Sequence, residues 1–311
     1  MPLSLLVAGS FGLDTIRMPD GRVYRDVLGG SGTYFSLAAS LLAKGVRVAG
    51  AVGGDFPRRH LRLLRGRGVD TEGLAIVPEG KTFRWSGTYK PNMDDRVTDD
   101  LQFGVLASHR PKLPPSCRRP DLLFLACAAP SLQGAVLRQA GNGALAVCDT
   151  IEVYIRGDRA ALLKVLRACG GVIVNESEAR LLLGDDNTVR CAQALCRMGP
   201  RFAVVKQGAH GSVLAAGKGG KDGIFPLPAW PLGKVADPTG AGDSFAGGFM
   251  GWLARTGKRD TAALRHAMRW ATAVASFTCG GVGPSRLARL APAELAARHR
   301  ALGRLLDPSA R

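Results

Sequence analysis

One stretch of this 311-residue chain joins an acid, a tight turn and a run of small residues: Asp237-Pro-Thr-Gly-Ala-Gly-Asp-Ser-Phe-Ala-Gly-Gly-Phe-Met250. Pro238 and the glycines predict a sharp turn, and Gly240 and Gly242 permit positive φ and close backbone approach. Ser244–Leu253 then continues with no breaker beyond Gly247 and Gly248, so a helix is expected from about Gly242, with the two later glycines allowing close packing on a neighbour. The amides of Gly240, Ala241 and Gly242 would converge in front of that helix, where anions bind. Asp243 sits beside this spot, electrostatically unfavourable unless it has a task. Taking the proton of an attacking hydroxyl while the amides hold a transferring phosphoryl group is such a task. A simple helix-start cap is the competing account, and the length and particularity of the motif favour the chemistry.

Elements that would position these groups follow from the apolar periodicity. Strands are expected at Leu3–Ala8, Val46–Val52, Leu122–Ala126, Ala144–Asp149, Val172–Asn175, Ala203–Lys206 and Ser212–Ala216. Helices are expected at Gly32–Lys44, Pro57–Arg67, Ala160–Cys169, Glu178–Leu183, Ser244–Arg255 and Asp260–Thr278, with Cys191 and Cys196 on a further helix and a fraying surface helix after Pro292. The alternation predicts an α/β fold: a doubly wound, mostly parallel sheet with helices on both faces. Arg22–Val27 and Thr82–Lys90 break that rhythm with alternating β-prone residues. They predict a small β lid, from about 14–28 and 82–104, on one domain spanning 1–311. In such a sheet ligands gather at the strand ends, which is where Asn175 and Glu178 fall.

The Asp237–Met250 motif resembles the C-terminal signature of the ribokinase-like (PfkB) sugar kinase family, and the resemblance extends along nearly the whole chain in the right order. Val7–Asp14 is similar to that family's first strand and substrate-binding aspartate, and Leu28-Gly-Gly-Ser-Gly-Thr33 to its glycine-rich substrate loop. The resemblance thus implies that Asp14, Gly29, Gly30, Ser31 and Thr33, with Asp243, bind substrate. Tyr34 departs from the pattern, since ribokinases proper carry asparagine there, which sets ribose apart as substrate. Gly50–Asp55 and Gly68–Thr71 match structural segments.

Asn175-Glu-Ser-Glu178 matches the family's N-x-x-E motif, which implies roles around ATP and Mg²⁺, with Glu178 acting on the metal through water; a helix-start role for Glu178 is the alternative. Lys206-Gln-Gly-Ala-His-Gly211 corresponds to a loop that approaches ATP, so Lys206, Gly208 and Gly211 are implied there. Lys206 stands where threonine is common, as a phosphate contact or a packing stem. Gly240, Gly242, Ala273 and Gly280 complete the implied ATP set, Ser276, Gly281 and Gly283 lie nearby, and Asp237 with Thr239 lies where some members bind K⁺. The implied activity is ATP-dependent phosphorylation of a hydroxyl, a hydroxymethyl group by preference, on a small sugar or sugar derivative. Asp243 would be the base and Gly240, Ala241 and Gly242 the anion hole. A nucleoside kinase is the alternative, with Arg84, Trp85 and Tyr89 of the lid near the substrate and an aromatic lid able to stack on a base. A non-catalytic nucleotide- or sugar-binding regulatory protein is the alternative of another class, disfavoured by the intact Asp243. Lid pairing between subunits gives a homodimer expectation.

Composition narrows the field. No apolar run reaches membrane-spanning length, and Met1–Gly9 lacks a signal-peptide pattern. The seven cysteines are scattered without a C-x-x-C pair, the pattern of reduced thiols in a cytoplasmic protein and not of a metal site. The net charge of +17 raises nucleic-acid binding, but the basic residues, densest at Arg58, Arg59, Arg62, Arg65 and Arg67, do not alternate with aromatics. No specific nucleic acid and no membrane is expected as a partner. A Walker A loop, a protein-kinase HRD or DFG set and a G-x-G-x-x-G dinucleotide turn are all missing.

Overall fold

The computed structural model describes residues 2–93 and 96–307; residues 1, 94, 95 and 308–311 of the expected domain and lid lie outside. Thirteen strands are described: β1 (Leu5–Ala8), β2 (Gly12–Arg17), β3 (Val23–Gly29), β4 (Val46–Gly53), β5 (Asp70–Val77), β6 (Phe83–Tyr89), β7 (Arg96–Gln102), β8 (Leu122–Leu125), β9 (Leu145–Cys148), β10 (Gly171–Asn175), β11 (Phe202–Lys206), β12 (Ser212–Ala216) and β13 (Gly223–Leu227). The helices are α1 (Ser31–Ser40), α2 (Arg58–Gly66), α3 (Pro130–Ala140), α4 (Glu152–Gly157), α5 (Arg159–Ala168), α6 (Glu176–Leu183), α7 (Thr188–Arg197), α8 (Ala241–Thr256), α9 (Thr261–Thr278), α10 (Ser285–Arg289) and α11 (Pro292–Leu306).

The expected doubly wound sheet is present. Its order is β13-β12-β11-β10-β9-β8-β1-β4-β5, parallel from β11 to β5 and antiparallel at β12 and β13. The central strands are continuous apolar runs because both their faces are covered: every residue of β1, β8 and β9 is buried. Leu5 and Val7 enter the core beneath α1, α8 and α9, whereas Leu6 and Ala8 enter the core beneath α3, α5, α6 and α7. Connections run to opposite sides of β1, to β4 and to β8, so the crevice for a ligand opens at the carboxyl ends of β1 and its neighbours.

A second sheet, β3-β2-β6-β7, forms the lid, beginning at Gly12. Arg84 ties it to the main body, reaching Asp26 of the lid at 2.6 Å and Asp55 at 3.4 Å. Several elements carry too weak a periodicity to be expected from sequence, among them edge strands β5 and β13 and helix α3. Helix α1 stops at Ser40, short of Lys44. The tail forms the expected surface helix, α11, anchored through Leu295 and Leu302, both buried.

Candidate active site

The Asp237–Met250 segment folds as its glycines require. Gly240 has φ +73°, and a side chain there would collide with the ring of Tyr34, so the position admits only glycine on both counts. Gly242 is corrected: its φ is not positive, α8 already begins at Ala241, and what it provides is close approach, since a methyl group there would lie 3.0 Å from Lys206 Nζ. The Ala241 amide is also corrected. It donates to the Pro238 carbonyl at 3.1 Å to close the turn, whereas no acceptor among the described residues takes the amides of Gly240, Gly242 or Asp243. Asp237 clamps the loop, accepting from Thr239 N at 2.9 Å and Gly283 N at 2.7 Å. Gly247 and Gly251 seat α8 against the backbone of α1, and Gly248 seats it against α9.

Asp243 stands in the first turn of α8. Burial pushes its pKa up to about 7, the Asp149 carboxylate adds to the rise, and Lys206 and Arg96 oppose it. A carboxylate poised there is matched to general-base work near neutrality. The adjacent sheet edge supplies the other charges. Asn175 and Glu178 form a capping box on α6: Asn175 Oδ1 accepts from Glu178 N and Glu178 Oε2 accepts from Asn175 N, both at 2.8 Å. The Glu178 carboxyl is buried, and desolvation with Asp149 nearby lifts its pKa to about 8. Lys206 Nζ lies 3.4 Å from Asp149 Oδ2, with the lysine side chain 13% exposed and the aspartate 7%. Burial pulls the lysine pKa down, but Asp149, Glu178 and Asp243 together raise it. Asp149 is a site residue that the sequence reading missed; its place directly after a buried strand was the available signal. Arg96 on the lid was missed too. It is exposed, and its charge bears on both Asp243 and Glu178.

On the opposite side, Asp14 of β2 lies over Gly29, where any side chain would overlap its carboxyl group. It is 3% exposed, and no hydrogen-bond donor among the described residues serves it. Burial, then the charges of Asp237 and Asp243, push its pKa up to about 8. An acceptor held in this way fits substrate hydroxyls. Gly30 has φ +91° and packs its Cα on Ser10. In α1 the hydroxyls of Ser31 and Thr33 make internal bonds: Ser31 Oγ meets Ser10 Oγ at 3.1 Å, and Thr33 Oγ1 donates to Gly29 O at 2.7 Å. They brace the glycine turn and face the interior. Tyr34 is 1% exposed, so it is a floor beneath Gly240.

The lid meets the signature loop where Tyr89 Oη and Thr239 Oγ1 lie 2.7 Å apart. The lid also bounds a cavity of about 290 Å³, lined by Phe83, Leu101 and Phe103 of the lid side, Gly9 and Ser10 after β1, Ala49–Ala51 of β4, and Cys127, Gln133 and Tyr154. Its walls are largely apolar. Elsewhere in the expected ATP set, Ala273 has no exposed surface and belongs to the core of α9. Gly280 is exposed. Gly208 and Gly211 have φ +56° and +101°, and Gly211 abuts the backbone of 227–229. Arg298 of α11, not singled out from sequence, donates to Ser276 Oγ at 3.0 Å and lies 3.5 Å from the Phe277 ring centre. Among the described residues no three His, Cys, Asp or Glu side chains converge on a metal position. The donor set therefore fits Mg²⁺ only as an ion carried by phosphates and water with Glu178 beyond them.

The sequence and the fold have counterparts. The chain is 29% identical over 261 residues to the cytidine kinase of Thermococcus kodakarensis, covering 81% of this chain and 89% of that one. The nucleoside kinase of Burkholderia thailandensis, solved with inosine, superposes with a TM-score of 0.78 at 20% identity, over 96% of this chain and 98% of that one. The ribokinase of Cryptococcus neoformans var. grubii, solved with ADP, gives 0.76 at 21%, over 95% and 99%. At these identities the two structures speak for the fold. Residues 132–289, about half of the chain, match the family model described as pfkB family carbohydrate kinase, and the chain belongs to that family.

Proposed function

We propose that this kinase is a nucleoside kinase that transfers the γ-phosphoryl group of ATP to the hydroxymethyl group of its substrate. The largely apolar cavity of about 290 Å³ between the lid and the carboxyl ends of β1, β4 and β8 carries this reading. A free sugar presents hydroxyls on every side and needs polar partners on every side, whereas this wall is built mostly from Ala, Leu, Phe and Cys. A nucleobase suits it, with the ribose hydroxyls toward Asp14 and the Gly29–Gly30 turn. Burying roughly 100–150 Å² of a base at ~25 cal/mol/Å² contributes about 2.5–4 kcal/mol, a factor of ~10² or more. The nucleoside kinases it resembles support the same choice.

In this reading Asp243 accepts the hydroxyl proton. The amides of Gly240 and Gly242 and the Lys206 ammonium hold charge on the phosphates, as phosphoryl transfer chiefly requires positioned electrostatics. Mg²⁺ would supply positive charge to the phosphates, and Asn175 and Glu178 would be the residues placed to hold its water. Arg96 reaches the same space from the lid, so Arg96→Ala is expected to lower kcat about tenfold with substrate KM little changed; an unchanged kcat would place Arg96 outside the reaction. A role for Asp237 and Thr239 with K⁺ rests on family resemblance alone, their described bonds being those that close the loop and the Thr239 contact with Tyr89. The test of the substrate reading is turnover with MgATP across nucleosides, free ribose, other sugars and sugar acids. The expected kcat/KM for the best nucleoside exceeds that for ribose by at least about 10²-fold. Equal turnover of ribose would sink it.

A further inference from the structure

Asp149 has no part in the reading above, yet it is among the most enclosed carboxylates at the site. It follows β9, while Lys206 ends β11, with β10 between them. The Lys206 side chain crosses the end of β10 to bring Nζ to 3.4 Å from Asp149 Oδ2. The same Nζ lies against the first turn of α8, beside Gly242. Asp149 is a rigid anchor. Its Oδ1 accepts from Thr150 N at 2.8 Å, its carbonyl accepts from Gln133 Nε2 at 2.9 Å, and its own amide donates to Leu125 O at 3.0 Å. No second acceptor among the described residues takes a proton from Lys206, which leaves two of the three ammonium protons for a bound anion.

We propose that Asp149 is the positioning residue for Lys206, holding its ammonium against the N-terminus of α8 to meet the phosphates of ATP and keeping it off the catalytic base. The proposal rests on the kinase reading above. The physical reason is the flexibility of lysine: an ammonium on a four-carbon stem has no preferred site of its own. Once buried it must pair with a carboxylate. Glu178 and Asp243 are the next carboxylates whose charge Lys206 feels. Without Asp149 the ammonium would settle on one of them, and pairing with Asp243 would disable the base. Asp243 is faced by Asp149, Lys206 and Arg96, and its charge is felt by Asp14, Tyr34 and Cys127. Two effects of Asp149 oppose each other. Its charge repels ATP, and its anchoring orders the cation; removing it speeds the enzyme if repulsion dominates and slows it if anchoring does.

The experiment is a double-mutant cycle of Asp149→Asn and Lys206→Met. It measures kcat, its pH dependence, and the affinity for a non-hydrolysable ATP analogue with Mg²⁺. Asp149→Asn is expected to lower kcat about 10- to 100-fold, as misplacing a reacting-centre group does, with nucleoside KM within about threefold of wild type. Its acidic limb moves to lower pH, because Asp243 loses a neighbour that raises its pKa and gains a nearer cation. Lys206→Met weakens analogue binding and moves the limb to higher pH. In the Lys206→Met background, Asp149→Asn costs nothing further, since its target is gone. Full additivity would overturn the proposal, showing that Asp149 acts on its own, and a faster Asp149→Asn enzyme would reduce Asp149 to a repulsive charge. If an unpaired buried lysine prevents Asp149→Asn from folding, Lys206→Met against the double variant decides: equal rates support the proposal and a further fall overturns it. A wild-type chain that neither binds the analogue nor turns over removes the kinase reading as well, whereas an active wild type with an additive cycle removes this inference alone.

Discussion

Asp243→Asn is expected to lower kcat by about 10²–10⁴-fold, the usual contribution of a positioned general base, while binding of nucleoside and ATP persists. The substitution keeps the size of the side chain and the start of α8, so loss through misfolding is not the expected route. The wild-type kcat/KM should rise with pH through a limb near pH 7, where Asp243, held at about 7 by burial and by Asp149, loses its proton. The variant should show no such limb. Rate–pH profiles measured beside thermal denaturation separate the outcomes. A stable variant with near wild-type kcat would show that the hydroxyl needs no protein base. A variant with reduced kcat but the same limb would assign the titration to another group, Glu178 being the next candidate at about 8.

Asp14→Asn is expected to act in opposite directions on activity and stability. Substrate hydroxyls that donate to this carboxyl favour its ionised form, and loss of that acceptor costs about 1.5–3 kcal/mol, so kcat/KM for the nucleoside should fall by roughly 10- to 100-fold or more. The ligand-free chain should become more stable. The folded pKa of Asp14, about 8, lies above its ordinary value of 3.8, so the folded state holds this proton more tightly than the unfolded one. The contribution is therefore fully present below pH 3.8 and is lost as pH rises through about 8. At pH 8 the ionised, buried carboxylate costs on the order of 2–5 kcal/mol. Asparagine carries no such dependence, so the stability gap between variant and wild type should widen from pH 4 to pH 8 in urea unfolding. A constant gap would show that Asp14 is solvated or paired in solution. An unchanged kcat/KM would remove it from the substrate site. The joint expectation, a residue that weakens the fold to serve the ligand, is the stability–activity trade-off of a preorganised site.

The parts of the site that were legible in sequence are those set by neighbours along the chain. The turn at Pro238–Gly242 depends on local φ requirements, and Gly240 adopts the left-handed conformation that its type permits. Asn175 and Glu178, three residues apart, form a capping box whatever surrounds them. The alternation of apolar strands with helices specifies layers of opposite-facing core, and the layers are there. Ser31 and Thr33 show where such reading stops. Their types suit a sugar, but the direction in which α1 packs turns both hydroxyls inward, and nothing within the Gly29–Thr33 segment encodes that direction.

What only the tertiary structure decided is which charges meet. Asp149 and Lys206 are 57 positions apart, and Arg96 comes from the lid sheet whereas Asp243 stands on α8. No periodicity links such residues, because coulombic energy depends on distance and burial after folding, not on order along the chain. The same holds for the cavity, whose walls come from β4, the ends of β1 and β8, α3 and the lid, each contributing one or a few unremarkable apolar residues. Local backbone chemistry by itself determined the anion-binding turn, the base beside it and the layered sheet. Folding determined the environment of that carboxylate, the cation that accompanies it, and the apolar space on which the proposed nucleoside reading rests.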